Sequence, residues 1–256
     1  MSQYEFPEKN PKKKFRKKKH WKKCCKKKCL ISLLLIFLFV IIILCHCLKP
    51  MPYPPAEIWF EEEFEEGLGD WEYLDAQWID NDGAKDNTSV RVARDEYLTP
   101  NLNYTFDPVI EGEEMVIEFY MKLEEIPGAT TLASLDFSTG EITAIIDGDG
   151  YLGLSFGLFE PAQYSTKKLK VGEWEKIQIY INTSEDQVSL YHNDLKILTT
   201  DWSGATPLLK IWLGTVWLYG AENYQPTSGT YYDAIRIGNT GLLKLQTLCD
   251  KIRVVF

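Results

Sequence analysis

Cysteine is almost absent from the larger part of this sequence. Five of the 6 cysteines lie within the first 47 of the 256 residues, and only Cys249 comes later. An internal disulfide of the C-terminal part is therefore excluded, so this part must be stabilised by a hydrophobic core or by bound ions. The early group of Cys24, Cys25 and Cys29 lacks the paired Cys-x2-Cys spacing that a zinc site requires.

Acidic residues are scarce at one end of the chain and basic residues at the other. Residues 1–49 contain 14 of the 28 Lys and Arg residues but only 2 of the 37 Asp and Glu residues, a net charge of +12. Residues 50–256 consequently carry −21, and the total of −9 combines two unlike parts. The acidic part argues against nucleic acid and sulfated glycans as partners, and it is compatible with divalent cations, neutral sugars or basic protein surfaces.

A segment without formal charge separates the two parts. Residues 30–48 (LISLLLIFLFVIIILCHCL) have Ser32 and His46 as their only clearly polar members. A helix of this length spans about 28 Å, close to the hydrocarbon thickness of a bilayer, and it would have no polar stripe. We therefore predict a transmembrane helix. A cleaved signal peptide fits less well, because 29 residues precede the segment and no small-x-small cleavage site follows it.

Lysines beside this segment predict its orientation. Five of them, at positions 22, 23, 26, 27 and 28, precede the span, whereas Lys49 stands alone after it. The bias predicts a cytoplasmic tail at residues 1–29 and an extracellular or lumenal C-terminal part. The lysines either attract anionic lipid or only set the topology. Cys24, Cys25 and Cys29 are candidate lipidation sites, although thiols at these positions could equally be incidental.

Helical periodicity is also nearly missing after the Pro-rich stem at residues 49–55. Residues 115–123 and 176–181 alternate apolar and polar side chains, which is typical of strands. Similar segments occur at 71–79, 89–93, 132–137, 142–147, 151–156, 187–191, 196–200, 209–213, 216–219 and 231–237. So many short strands with turn residues between them predict an all-β, two-sheet antiparallel sandwich at residues 56–256. Only residues 242–252 have a helical pattern.

Four motifs follow one another in this part. They are FEEEFEEG at 60–67 with Asp70-Trp71, WIDNDG at 78–83 with SVRV at 89–92, VGEWEKI at 171–177 with VSLYHN at 188–193, and YDAIRIG at 232–238. Together they resemble the concanavalin A-like lectin/glucanase (LamG-like) domains across nearly all of 56–256. The resemblance implies a jelly-roll fold with a short C-terminal helix. One departure is Asn193-Asp194, where the family has Asp-Gly.

Asp233 is the candidate metal ligand. It alternates in step with Tyr231, Ile235 and Ile237, which predicts that its carboxylate faces the apolar side and needs a cation, donors or a proton. The resemblance implies a structural calcium held by this Asp and by groups of the first strand, for which Glu62 has suitable alternation. Calcium prefers such oxygen ligands. The alternative is an aspartate bonded to backbone or paired with an arginine.

Two acidic loops, 80–86 and 147–150, resemble calcium loops but lack the glutamate of an EF-hand, so plain turns are the commoner interpretation.

Catalysis is not predicted. The Glu-x-Asp-x-x-Glu strand motif of laminarinase-like hydrolases is absent, and His192, the only histidine after residue 50, has no triad context.

Exposed aromatic side chains are the usual platforms of sugar sites. The candidates are Trp202, Trp212, Trp217 and Tyr219, whereas the resemblance implies that Trp71, Trp78 and Trp174 are in the core. Packing is the commoner role for such residues.

Three sequons, at Asn87, Asn103 and Asn182, are candidate glycosylation sites, although Asn and Thr are also common at turns.

These observations predict a membrane-anchored extracellular recognition domain that binds carbohydrate or glycoprotein and is not an enzyme. The alternatives are a structural cell-surface component that contacts other proteins, and a divergent glycan-active enzyme. The oligomeric state is not indicated by the sequence.

Overall fold

The computed structural model describes residues 56–93, 101–126, 128–157, 161–204, 206–214 and 229–243. The predicted basic tail, membrane span, stem and juxtamembrane cysteines all lie outside these ranges. Within them, none of the helical structure has the length and apolar character needed to cross a bilayer.

The described residues form fifteen strands and one 3-10 turn. In chain order they are β1 Ile58–Glu62, β2 Glu72–Leu74, β3 Ala76–Asp80, β4 Thr88–Val92, β5 Asn101–Ile110, β6 Glu114–Leu123, β7 Thr130–Phe137, β8 Gly140–Ile146, β9 Tyr151–Ser155, β10 Gln163–Lys168, β11 Glu175–Asn182, β12 Gln187–His192, β13 Leu195–Asp201, β14 Leu208–Gly214 and β15 Thr230–Gly238, followed by a turn at Thr240–Leu242. The prediction of a two-sheet antiparallel sandwich is confirmed.

Two sheets account for all the strands. The eight-stranded sheet has the order β13-β12-β11-β6-β15-β4-β3, and β1 also pairs with β15. The seven-stranded sheet has the order β10-β9-β8-β7-β14-β5-β2. Every ladder between named strands is antiparallel, and neighbours in space are often distant in sequence, so the fold depends on long-range pairing.

The core lies between the inner faces of the sheets. On β11, Ile177, Ile179 and Ile181 are fully buried and alternate with residues that face outward. Their partners on β6 are the apolar residues Phe119, Ile117 and Met115, which are also buried. Such alternation places one row of each strand in the core and the other on the outer surface.

The predicted strand at 71–79 is in fact two strands. Asp75 adopts a left-handed conformation with φ of 53°, and this kink separates β2 from β3. β2 joins the seven-stranded sheet and β3 the eight-stranded sheet. The chain therefore crosses from one sheet to the other at a single residue.

Tyr232 ties the two sheets together. It is fully buried on β15 of the eight-stranded sheet. Its hydroxyl donates to the Leu132 carbonyl on β7 at 2.6 Å and accepts from the Gly214 backbone N–H on β14 at 3.0 Å. Both partners belong to the seven-stranded sheet, so one side chain satisfies two backbone groups across the core. Burial raises the pKa of the Tyr232 phenol, which stays protonated.

Candidate ligand-binding face and candidate cation site

A polar patch covers part of the outer face of the seven-stranded sheet. On β14, Ile211 and Leu213 are buried in the core, and Trp212 between them faces outward, as the alternation predicts. Strand register places other polar residues on the same face. We define the Trp212 face as Asn103, Ser134, Asp136, Glu141, Thr143, Lys210 and Trp212.

The indole of Trp212 has a fixed orientation. Its Nε1 donates to Asp136 Oδ2 at 2.8 Å, and Lys210 Nζ lies 4.0 Å from the centroid of its ring. The same ammonium lies 3.8 Å from a carboxylate oxygen of Glu72, which is largely exposed. Trp212 is partly exposed, so part of a positioned aromatic side chain is available at the surface.

Two carboxylates with different surroundings lie opposite each other on neighbouring strands. Asp136 on β7 pairs with Glu141 on β8, which brings their side chains onto one face. Burial raises the pKa of Asp136, the Glu141 charge raises it further, and the Trp212 hydrogen bond and Lys210 oppose both effects. Glu141 Oε1 accepts from the Ser134 hydroxyl and, at 3.0 Å, from the Thr143 hydroxyl.

Asn103 leaves an acceptor without a donor. It pairs directly with Trp212 across the β5–β14 ladder, and it is only 6% exposed. Its Nδ2 donates to Asn101 Oδ1 at 3.4 Å, but its buried Oδ1 has no hydrogen-bond partner among the described residues. Buried polar atoms are rarely left unpaired, so we expect this oxygen to accept a hydrogen bond from a bound ligand or water.

Replacement of Trp212 by phenylalanine should raise the pKa of Asp136 further. The change removes the Nε1–H that stabilises the carboxylate while an aromatic ring remains. A pH titration of the Asp136 carboxyl carbon by NMR measures the shift in wild type and variant. A carboxyl pKa that is unchanged in Trp212→Phe would show that this hydrogen bond is absent in solution.

A cavity of about 660 Å³ adjoins the Trp212 face, and Glu141 belongs to both. The described residues of its lining are Thr139, Gly140, Glu141, Phe156, Gly157, Glu185, Asp186, Asp201, Trp202, Ser203 and Gly204. Trp202 is 8% exposed and packs on Phe137 with ring centroids 5.1 Å apart. Of the predicted ligand-binding aromatics, Trp212 thus lies on the face and Trp202 in the cavity wall, while Trp217 and Tyr219 lie outside the described residues.

The three tryptophans predicted to be in the core differ from one another. Trp71 is buried, and Trp174 is partly buried against Tyr231. Trp78 is 41% exposed on β3 and only its Nε1 is engaged, donating to the Phe64 carbonyl at 2.7 Å. The prediction for Trp78 was therefore wrong.

Asp233 is buried, but it faces the opposite way from the prediction. Ala234 has a left-handed conformation with φ of 47°, and the β15–β6 register shifts between Asp233 and Arg236. This bulge inserts an extra residue, so the simple alternation fails. Asp233 pairs with Tyr120 on the outer face. It is fully buried there, and its Oδ2 accepts from the backbone N–H groups of Ala84 and Lys85 in the β3–β4 loop, at 2.7 and 2.9 Å.

Glu62 does not meet Asp233. Glu62 pairs with the buried Ile235 and points inward, where its carboxylate accepts from Phe64 N–H at 2.7 Å and Trp71 Nε1 at 3.2 Å. The two carboxylates lie on opposite faces of the eight-stranded sheet. The predicted ligand pair must therefore be corrected, because both oxygens of Glu62 are already used.

Other carboxylates gather near Asp233 on its own face. Oxygens of Glu63, Glu65 and Asp86 lie within 4.8 Å of one another. Asp233 Oδ1 and Asp86 Oδ2 are buried without a hydrogen-bond partner among the described residues. Burial raises the pKa of Asp233, and the Asp86 charge raises it further. Glu63, Glu65 and Asp86 thus form an oxygen-only donor set, which fits a calcium ion. Asp233 is not one of its three members, but its carboxylate lies near that of Asp86.

The second acidic loop is a turn. Asp147 Oδ1 accepts from the backbone N–H groups of Asp149 and Tyr151, at 2.9 and 2.8 Å, and Gly150 has φ of 85°. The carboxylate replaces backbone partners in a tight connection between β8 and β9. The commoner interpretation of this loop, a plain turn, is confirmed.

The three sequons differ in exposure. Asn87 is exposed in the β3–β4 loop. Asn103 and Asn182 are 6% and 4% exposed, and Asn182 Oδ1 accepts from the backbone N–H groups of Ser184 and Glu185. A glycan on either buried side chain would displace its neighbours, so the structure favours Asn87 alone.

No family model and no curated protein matches the chain. Solved structures show a similar fold. Domain 4 of an extracellular arabinanase from Geobacillus stearothermophilus, in complex with arabinotriose, has a TM-score of 0.53 at 13% identity, over 73% of this chain and 94% of that one. The botulinum neurotoxin serotype G binding domain has a TM-score of 0.51 at 10% identity, over 78% of this chain and 51% of that one. A sialidase has a TM-score of 0.50 at 10% identity, over 73% of this chain and 19% of that one. The chain thus spans about half of the toxin binding domain and about a fifth of the sialidase.

Proposed function

We propose that the chain is a carbohydrate-binding protein of the concanavalin A-like type, and that the Trp212 face is its ligand-binding site. The observation that carries the proposal is the buried Asn103 Oδ1, which lacks a donor beside a fixed and partly exposed Trp212 ring. An aromatic platform with a few convergent polar groups is typical of ligand sites.

The similarity to the arabinanase domain supports this proposal. That domain was solved with arabinotriose, and this chain covers 94% of it. The identity is 13%, so the likeness extends to the fold and not to particular residues. The proposed site therefore rests on the residues of the Trp212 face. The proposed function is binding of a glycan or glycoprotein without catalysis.

A glycan array with the full-length chain tests the proposal. Wild type should bind at least one glycan, and Trp212→Ala should weaken that binding by about tenfold to a hundredfold, as expected when a central aromatic contact is removed. Trp78→Ala is the matched control, since Trp78 is also exposed but lies on the other sheet. Thermal unfolding of both variants verifies that they are folded.

The array separates the three classes of function. If no glycan binds with or without calcium, the carbohydrate proposal fails and a structural component with protein contacts is favoured. Turnover of a bound glycan would instead indicate an enzyme. Equal loss of binding in both tryptophan variants would show that Trp212 is not at the site.

We also propose that a calcium ion is held by Glu63, Glu65 and Asp86, whose carboxylate oxygens lie within 4.8 Å of one another, and that Asp233, which lies near Asp86, completes the site. The two orphaned buried oxygens support this assignment, because a buried carboxylate requires a proton, a donor or a cation. The ion would connect the chain after β1, the β3–β4 loop and β15. Its role is structural, since these residues lie on the sheet that does not carry the Trp212 face.

Membrane anchoring remains part of the proposal. The uncharged segment at residues 30–48 and the lysine bias before it support a single span with a cytoplasmic N-terminus. The glycan-binding domain would then be displayed at the cell surface, and the acidic charge of residues 50–256 would be on the outer side.

A further inference from the structure

Apart from the Lys210 ammonium, the Trp212 face offers acceptors rather than donors. Asn103 Oδ1 is unpaired among the described residues, and Asp136 and Glu141 are carboxylates. The hydroxyls of Ser134 and Thr143 already donate to Glu141. The Trp212 Nε1–H is likewise used by Asp136. A ligand that is to satisfy these acceptors must therefore bring its own N–H or O–H groups.

The adjoining cavity is acidic. Glu141, Glu185, Asp186 and Asp201 belong to its lining, and the described lining residues include no Lys, Arg or His. Its volume of about 660 Å³ is within the range typical of small-ligand sites, about 300–1,000 Å³. Low-dielectric walls with charge of one sign concentrate ligands of the opposite sign. A positively charged group is thus favoured in the cavity.

Lys210 shows that the face stabilises an ammonium group. Its Nζ lies over the Trp212 ring at 4.0 Å from the centroid and 3.8 Å from Glu72 Oε2. An aromatic face combined with a carboxylate is a recognised arrangement for binding organic cations. Lys210 is the only basic residue of the Trp212 face as defined above.

We propose that the Trp212 face and the adjoining cavity form one continuous site that selects glycans with protonated amino groups. The inference rests on the proposed function and names the ligand class of the same site. Glu141 connects the two regions, because it belongs to the cavity lining and also accepts from Ser134 and Thr143 on the face. An ammonium donates three hydrogen bonds with full positive charge, and charge-assisted hydrogen bonds to carboxylates are the stronger kind.

Titration calorimetry on the full-length chain tests the inference with three oligosaccharides of equal length. These are a glucosamine tetramer, the N-acetylated chitotetraose and the uncharged cellotetraose, at about pH 6, where amines are protonated and carboxyl groups of ordinary pKa are ionised. The glucosamine tetramer should bind about tenfold more tightly than the other two. The advantage should shrink as salt is added, because exposed charges are screened.

Three variants locate the selectivity. Asp186→Asn with Asp201→Asn should reduce the preference for the glucosamine tetramer about tenfold through loss of cavity charge. Lys210→Gln should increase its affinity several-fold, because a competing ammonium is removed. Glu173→Gln is the control for loss of acidic charge elsewhere, since it removes a carboxylate from an exposed loop outside the face and the cavity lining.

The outcomes are distinct. The inference is supported if the glucosamine tetramer binds more tightly than the other two and the double variant Asp186→Asn with Asp201→Asn loses this preference. Glu173→Gln should retain it. Equal affinity for the three tetramers, or weaker binding after Lys210→Gln, overturns it and leaves the carbohydrate proposal intact. If no tetramer binds and the glycan array is also negative, the proposed function fails and the selectivity fails with it.

Discussion

Calcium at about one hundred times its Kd should raise the free energy of unfolding by about 2.7 kcal/mol. The reason is that Asp233 Oδ1 and Asp86 Oδ2 are buried without partners among the described residues, so an ion would satisfy two groups that otherwise weaken the fold. At about 2–4 °C per kcal/mol for a domain of this size, Tm should rise by about 5–11 °C. Thermal unfolding of the full-length chain with calcium and with a chelator measures the difference.

Asp233→Asn should abolish this gain without weakening the calcium-free protein. Burial raises the pKa of Asp233 above its unfolded value, so the ionised carboxylate destabilises the fold at any pH above its folded pKa, and the penalty is relieved as the pH falls through that value. Without calcium, acidification should therefore stabilise wild type relative to Asp233→Asn. The asparagine avoids the charge while keeping an acceptor for Ala84 and Lys85.

A second acidic loop supplies the control. Asp149→Asn makes the same chemical change in the exposed turn between β8 and β9, and it should leave the calcium effect unchanged. A rise in Tm that is equal in wild type and Asp233→Asn, or absent from wild type, would rule out the proposed ion.

Tyr232→Phe should lower the free energy of unfolding by about 2–5 kcal/mol. The lost hydroxyl leaves the Leu132 carbonyl and the Gly214 N–H without this partner in the core, and each unsatisfied buried group costs about 1–3 kcal/mol. The ring and its packing on Phe119 stay in place. Urea unfolding should show a lower midpoint at an unchanged slope.

The neighbouring Tyr231→Phe is the matched control. Its hydroxyl donates to Glu124 at 2.8 Å near the surface, where water replaces the lost partner. The expected cost is at most about 1 kcal/mol. Equal stabilities of the two variants would show that Tyr232 does not link the sheets in solution.

The sequence predicts those strands whose two faces differ chemically. β6 and β11 alternate cleanly, and the structure has them at 114–123 and 175–182. β10 was missed because QYSTKK is exposed at five of its six positions and pairs with β9 alone, so no apolar row indicates it. β5 was missed although Leu102 and Phe106 alternate with polar residues, a signal that could have been used.

The two C-terminal predictions fall wholly or mostly outside the described residues. The structure has a 3-10 turn at Thr240–Leu242, and most of the helix predicted at 242–252 lies outside the described residues. The strand predicted at 216–219 lies outside them as well.

The site predictions failed where a single residue broke the alternation. Ala234 and Asp75 adopt left-handed conformations. Alanine gives no sign of this in a sequence, and aspartate, although enriched in that region, adopts it in only a minority of cases. The Ala234 bulge turned Asp233 to the outer face, because a shift of one residue exchanges the faces of a strand. Trp212, in a regular part of β14, faces outward as its alternation predicts.

The other residues of the Trp212 face could not have been assembled from the sequence. Asn103, Asp136 and Glu141 lie on three different strands, and only the pairing of β5, β14, β7 and β8 brings them together. Register across non-adjacent strands is set by the packing of the whole core. An asparagine and two carboxylates at strand positions are too common to indicate a site by themselves.

The pairing of β1 with β15 has a mechanical consequence. A pulling force applied to the chain at residue 56 would act first on β1. This strand is held by its short ladder to β15 and by the ion pairs of Arg236 with Glu61 and Glu63. Glu63 and Glu65 also contribute to the acidic group near Asp233. An ion bound there would clamp the chain directly behind the loaded strand. The force needed to peel the first strand away would then depend on the calcium concentration around the domain.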